Sequence, residues 1–228
     1  MKKLILVLVL LLPIHMYAQT IMSWNIQYLG ETKFKKDTIV PEIVRIMKES
    51  NADIIAIQEL VTNTYGDSCI IQIADSLNYN YIISEKTTGR GTERYVYLYD
   101  TSILMNYNYL DSSLAEKINR EPYIASFRYK CEDMVIRQFH AVPASKDPEN
   151  EIMQLEYYGG ILCGDFNIND HHNAYNHIYM FFNSPLKGEL TSLKTDGSLN
   201  NSYDHFFVGK QIKVKYARVF NYEYEYDK

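Results

Sequence analysis

A series of chemically able side chains stands straight after, or just before, apolar runs. Asn25 follows TIMSW, Glu59 follows DIIAIQ, and Glu93-Arg94 opens RYVYLYD. Arg120-Glu121 precedes PYIASF, His140 ends MVIRQFH, Asp165 and Asn167 stand in GDFN after GGILC, and Asp204-His205 opens HFFV. A single acid or histidine at such a place is usually a turn, cap or core residue. A set of them at successive strand ends is the layout of a site, because a sheet fixes its end loops while water still reaches them.

Their chemistry is coherent. Glu59, Asp165 and Asn25 offer hard oxygens of the kind that magnesium and calcium select, and Mg²⁺ keeps several waters, so one or two carboxylates suffice. Asn167 can donate or accept at a phosphate oxygen, and Arg120 can neutralise one. His140 can move a proton near neutral pH. Glu93 could hold its imidazole in one tautomer and favour the charged form. Together these groups suit the attack of water on a phosphodiester, where the work is positioning and charge stabilisation.

The elements that must position them alternate without a linker. TIMSWNIQ reads as a strand, DTIVPEIVRIMKES as a helix with Pro41 in its first turn, and ADIIAIQEL as a central strand. SCIIQIADSLN is a second amphipathic helix. YNYIIS, RYVYLYD, SILMNYNYL, PYIASFRYK and DMVIRQFH follow as strands. PENEIMQLEYY holds a short helix, GILCGD a buried strand, HNAYNHIYMFF a helix, and SYDHFFV and QIKVKYARVF late strands. Strand–helix alternation followed by runs of strands predicts an α/β layered sandwich with mixed sheets.

The formal net charge of −5 argues against binding nucleic acid through a broadly basic surface; a nuclease of this charge would concentrate its carboxylates around a cation. MKKLILVLVLLLPIHMYAQT has two lysines, an apolar run and MYA before Gln19, the layout of a secretory signal peptide over residues 1–18. The remaining 19–228 form one domain, expected to be secreted or periplasmic, monomeric and off the membrane. Cys69, Cys131 and Cys163 show no spacing that suggests a disulfide framework or zinc, and Cys163 reads as a small core residue.

The stretches SWNIQYLGETK, IVRIM, DIIAIQE, GTERYVYLYD, NREPYIASF, FHAVPAS, GDFN and SYDHFFV occur together in order. In this set the chain resembles the endonuclease/exonuclease/phosphatase superfamily, and within it the deoxyribonuclease I-like branch, from about Thr20 to Val208. The resemblance implies a four-layer sandwich of two mixed sheets faced by helices. It implies metal-site roles for Asn25 and Glu59, and a catalytic pair in Glu93 and His140. Arg120 matches a phosphate-contacting arginine, and Asp165 and Asn167 the pair that handles metal and scissile phosphate. Asp204 matches the carboxylate that orients a second catalytic histidine. His205 is expected to be structural.

Departures bear on the substrate. The family places an arginine two residues beyond the metal-binding glutamate, where this chain has Val61, and a tyrosine shortly before Glu93, where it has Gly91-Thr92. The stretch from Glu151 to Gly160 is shorter than in the family. The Ser-Asp-His motif of the family's last strand does not follow Val208, so the resemblance implies a sandwich without that strand and an impaired nuclease. His171, His172 and His177 follow GDFN and are poor substitutes for the histidine. The leading expectation is a secreted Mg²⁺-dependent endonuclease acting on DNA, with Ca²⁺ as a further cation. The alternatives are a non-catalytic binding member of the same fold and a phosphatase or phospholipase of the superfamily.

Overall fold

The computed structural model describes residues 18–89, 93–194 and 198–220. The signal-peptide reading falls almost wholly outside them, as does Gly91-Thr92.

The first half runs β1 (Ile21–Leu29), α1 (Glu31–Phe34), α2 (Ile39–Ser50), β2 (Ile54–Val61), α3 (Thr64–Leu77), β3 (Tyr79–Ile83) and β4 (Glu93–Asp100). Its strands form a sheet in the order β1-β2-β4-β3, with β1 parallel to β2 and the other pairs antiparallel. α2 buries Ile39, Val40, Ile43, Val44, Ile46 and Met47, a helical stripe, and Pro41 sits in its first turn where the missing N–H costs little. Asn51 ends it in a left-handed conformation, as Asn78 ends α3. Asn63 opens α3 by accepting a hydrogen bond from the Gly66 N–H.

The second half contributes β5 (Leu104–Leu110), β6 (Tyr123–Tyr129), β7 (Glu132–His140), α4 (Pro148–Ile152), β8 (Ile161–Asp165), α5 (Asn176–Phe181), β9 (Phe182–Asn183) and β10 (Asp204–Gly209). These strands form a second sheet in the order β5-β6-β7-β8-β10-β9, parallel only between β7 and β8. Both sheets are therefore mixed, as the sequence pattern predicts.

Three apolar layers hold the sandwich. One lies between α2, α3 and the first sheet, including Ile43, Met47, Ile55, Ile57, Leu60, Ile70 and Ile73. The second lies between the sheets, where Ile54, Ala56, Tyr97, Phe127, Ile136 and Cys163 meet. The third packs Phe139, Leu162, Phe166, Tyr175 and Phe207 under the helices of the second half. Helix, sheet, sheet and helix make four layers. Tyr97 reaches across the middle one, its hydroxyl donating to the carbonyls of Tyr123 and Ile136.

Some boundaries differ from the sequence reading. QIKVKYARVF carries an alternating pattern, but residues 211–220 are largely exposed, form no regular element and have no ladder partner among the described residues. Alternation makes a strand only where an edge is available to pair with it. The helix expected over HNAYNHIYMFF is a 3-10 turn at Asn173–Tyr175 followed by the short α5. The four-residue α1 and the two-residue β9 carry no periodic signal. The three cysteines are unpaired, Cys69 and Cys163 buried and Cys131 exposed.

Three backbone irregularities aim side chains at one end of the sandwich. Along β2, Ile54 and Ala56 face the other sheet while Ile55 and Ile57 face the helices. The register then slips between Ile57 and Leu60, and Glu59 takes a left-handed φ of 67°. This extra residue turns Glu59 toward the sheet end and returns Leu60 to the helix side. In β1, Gln27 and Tyr28 are also left-handed, with φ of 51° and 50°, where its register with β2 slips. Gly164, at φ 137°, lies so close to β7 that a Cβ there would stand 1.9 Å from the Phe139 carbonyl oxygen. That contact seats Asp165 directly opposite His140 across the parallel pair.

Candidate active site

The structure brings the sequence-predicted residues together at this end, drawn from both sheets. His140 ends β7 in the second sheet, and Glu93 begins β4 in the first. The imidazole Nδ1 hydrogen-bonds to Glu93 Oε2 at 3.0 Å. The other ring nitrogen, Nε2, faces two further carboxylates, 3.7 Å from Glu59 Oε1 and 4.0 Å from Asp165 Oδ2. The His140 N–H donates to the Tyr95 hydroxyl at 3.1 Å, so ring and backbone are both tied to β4.

Asn25 sits between the carboxylates. Its Nδ2 donates to Glu59 Oε1 at 2.8 Å and to Asp165 Oδ2 at 2.9 Å. Its Oδ1 accepts the Gln27 N–H at 3.0 Å. As placed, Asn25 therefore presents its amide nitrogen to the carboxylates and bridges them, where the sequence reading had it offering an oxygen to a cation. The second Glu59 oxygen accepts the Tyr28 N–H at 3.0 Å, and Asp165 Oδ1 accepts the Asn167 N–H at 2.9 Å. The left-handed turns at Gln27–Tyr28 and at Asn167 thus point backbone donors at the site acids.

Arg120 is buried, and its placement differs from that of a phosphate-reaching arm. Its Nε donates to the His140 carbonyl at 2.9 Å, its Nη2 to the Ala141 carbonyl, and its Nη1 meets Glu93 Oε2 at 3.2 Å. It braces the strand end that carries His140. Asn167 joins the same brace, its Nδ2 donating to the Ala141 carbonyl at 3.1 Å.

Charge is unevenly tuned. Burial opposes ionisation of Glu93, but the hydrogen bond with His140 and the Arg120 charge outweigh it and hold Glu93 below the usual carboxylate range. Asp204 lies opposite Asp165 in the β8–β10 ladder. Burial, and then the Asp165 charge, push its carboxyl up to about 7 against a hydrogen bond with Thr191. His205 points the other way, into the Phe166, Tyr175 and Phe207 cluster, with Nε2 hydrogen-bonded to the Ile168 carbonyl at 3.1 Å. His172 accepts the Ala174 N–H, His177 bonds the Leu155 carbonyl and His171 is exposed beside Asp170.

Among the described residues no group of three or more His, Cys, Asp and Glu forms a ready-made metal cage. Glu59 Oε1 and Asp165 Oδ2 nonetheless both meet Asn25 Nδ2, at 2.8 and 2.9 Å, and two hard carboxylates this close are a donor set that suits Mg²⁺, which takes one or two carboxylates and fills its shell with water. Some supporting groups carry no signal in the sequence. Tyr95 is one. Buried Glu151 is another: it accepts the Asn119 N–H at 2.6 Å and the Val142 N–H at 2.8 Å, and so ties together the loops around Arg120 and His140.

The fold and the site define an α/β two-sheet sandwich with an acid–imidazole cluster across its sheet ends. Residues 22–223 match the Endonuclease/Exonuclease/phosphatase family, and the chain belongs to it. It is 30% identical to human deoxyribonuclease gamma over 165 residues, covering 65% of this chain and 52% of that one. It is 28% identical to a deoxyribonuclease of Thioalkalivibrio sp. (strain K90mix), covering 89% of this chain and 62% of that one. The chain spans about half the length of the human deoxyribonucleases it matches. The crystal structure of a humanized D. rerio TDP2 superposes with a TM-score of 0.63 at 12% identity, over 84% of this chain and 83% of that one, which shows the shared fold. Among the described residues no helix is long and apolar enough to cross a membrane.

Proposed function

We propose that this chain is a metal-dependent phosphodiesterase that hydrolyses DNA in the manner of a deoxyribonuclease I-like endonuclease. The observation that carries the reading is His140, held by Glu93 at 3.0 Å on one ring nitrogen and facing Glu59 and Asp165 with the other. The matches to proteins named deoxyribonuclease support DNA as the substrate.

Glu93 accepts from Nδ1–H and so leaves Nε2 of the neutral ring free to take a proton. A water between Nε2 and a phosphorus atom is deprotonated there as it attacks, the P–O bond to the sugar oxygen breaks, the leaving oxygen takes up a proton from solvent, and Glu93 stabilises the imidazolium. Arg120 and Asn167 fix the strand end that carries the ring. Glu59 and Asp165, bridged by Asn25, would hold Mg²⁺, or Ca²⁺, which when bound offsets the negative charge that develops on the phosphate oxygens. Asp204, its carboxyl pushed up to about 7, would donate in its protonated form to a phosphate oxygen beside Asp165.

Residues 1–18 are proposed to direct export, leaving a secreted or periplasmic, monomeric domain that begins near Gln19. Mass spectrometry of the expressed product tests this; Met1 retained on membrane-bound protein would reject it. The activity is tested with supercoiled plasmid: the full chain nicks it in Mg²⁺ and not in EDTA, and Glu59→Gln abolishes the nicking.

A further inference from the structure

We infer that Gln58 and Gln138 form a clamp between the two sheets that positions Glu59 and His140 for the reaction. The inference rests on the phosphodiesterase reading of that site. Glu59 and His140 belong to different sheets, so the gap between their reactive atoms is set by how the sheets are spaced and shifted. Apolar packing is non-directional and fixes such a shift weakly; directional polar contacts fix it well.

The middle layer contains such contacts one strand repeat below the site. Side chains two residues apart share a face of a strand. Gln138 therefore lies beneath His140, Ser23 beneath Asn25 and Cys163 beneath Asp165. Gln58 immediately precedes the Glu59 bulge. Gln58 and Gln138 are both fully buried. Gln58 Nε2 donates to Gln138 Oε1 at 2.8 Å, and Gln138 Nε2 donates onward to the Val96 carbonyl at 2.6 Å. Gln58 Nε2 also lies 3.4 Å from Ser23 Oγ, and Ser23 hydrogen-bonds Cys163. The chain of bonds thus touches β1, β2 and β4 of one sheet and β7 and β8 of the other, the strands that supply Asn25, Glu59, Glu93, His140 and Asp165; β10, which supplies Asp204, lies outside it.

A purely structural part at this depth would be apolar, as Ile54, Ala56 and Ile136 around it are. Two buried amides carry a desolvation cost, and Gln58 Oε1 has no hydrogen-bond partner among the described residues. What they supply that leucines do not is a fixed offset between β2 and β7. Gln58 and Gln138 are positioning residues; they touch no substrate.

The test uses the full chain with Gln58→Leu, Gln138→Leu and the double Gln58→Leu/Gln138→Leu. Three measurements are made: thermal stability, kcat and KM for bis(p-nitrophenyl) phosphate with Mg²⁺, and amide hydrogen exchange. Each single variant leaves a buried amide without its partner in the other sheet and lowers both stability and kcat, the latter by about 10- to 100-fold with KM little changed. The double variant replaces both amides by apolar groups and regains stability, while its kcat stays low. Recovery of kcat together with stability would overturn the clamp and leave a structural pair. If the wild type does not hydrolyse the diester, the phosphodiesterase reading fails and exchange decides the clamp alone. The Tyr28 and His140 amides, bonded to Glu59 and Tyr95, then exchange faster in the double variant while Leu98 in the core stays protected; unchanged exchange overturns it.

Discussion

Glu93 and His140 start from different sheets and opposite halves of the chain, and their side chains meet at 3.0 Å across the end of the sandwich. Arg120 closes the unit, touching Glu93 through Nη1 and the His140 carbonyl through Nε. One buried acid thus serves an imidazole and a guanidinium at once, and the three residues stand or fall together.

Arg120→Met should remove the guanidinium braced against Glu93 and leave that buried carboxylate with the His140 hydrogen bond but without its arginine partner. The expected loss is about 3–5 kcal/mol, because breaking a buried pair leaves an unpaid desolvation penalty. Urea denaturation measures it. A loss below about 1 kcal/mol, as for a surface pair, would show that Glu93 is wetter than its packing indicates.

Stability should depend on pH through Glu93 and Asp204 in opposite senses. Glu93 is held below its ordinary value, so its contribution is present above the unfolded-state pKa and is lost as pH falls through the folded value. Asp204 is raised from 3.8 to about 7, so the folded state keeps a proton that the unfolded state releases between those values; its contribution is full at the acid end and lost as pH rises through about 7. Asp204→Asn should therefore flatten the decline in stability from about pH 4 to about pH 8, followed by urea denaturation in EDTA. An unchanged slope would mean that burial and the Asp165 charge do not hold the proton on Asp204.

Mg²⁺ should raise the melting temperature of the wild type and not that of Glu59→Gln, which keeps the size of the side chain but not its charge. Equal shifts in the two proteins would place the cation elsewhere.

Val61 stands two residues beyond Glu59, partly buried at the end of β2 and packed against Gly30. A cation there would reach solvent beside the site. Val61→Arg should tighten binding to duplex DNA and steepen its dependence on salt concentration by roughly one phosphate contact. No change in the salt slope would mean that duplex DNA does not pass over β2.

Much of this was legible in the residues. Apolar runs such as DIIAIQ and GGILC mark central strands because such strands are buried on both faces, and a polar residue ending the run then falls at the sheet end. That logic located Glu59, His140 and Asp165; Asn25 lies in the edge strand β1, and Asp204 opens its strand where the others end theirs. The same logic could not give the left-handed turn at Glu59, since a glutamate carries no signal for positive φ as glycine or asparagine does. Nor could it tell that Arg120 would face inward, because the same guanidinium can brace a carbonyl or reach a phosphate, and only the packing of the Ala141 and Glu151 loops decides. The partnership of Gln58 and Gln138 spans two sheets and has no local periodicity to reveal it. The pattern of QIKVKYARVF misleads for the converse reason, as period two is local while pairing is not.

The central claim is that His140 moves a proton in metal-dependent cleavage of DNA. It is tested most directly by supercoiled-plasmid nicking in Mg²⁺, comparing the full chain with His140→Ala, with both proteins first shown to be folded by circular dichroism. The account predicts nicking by the full chain that ceases in EDTA and falls by about 10²–10⁴-fold in His140→Ala. Equal nicking by the two proteins, or none by the folded full chain, would contradict it.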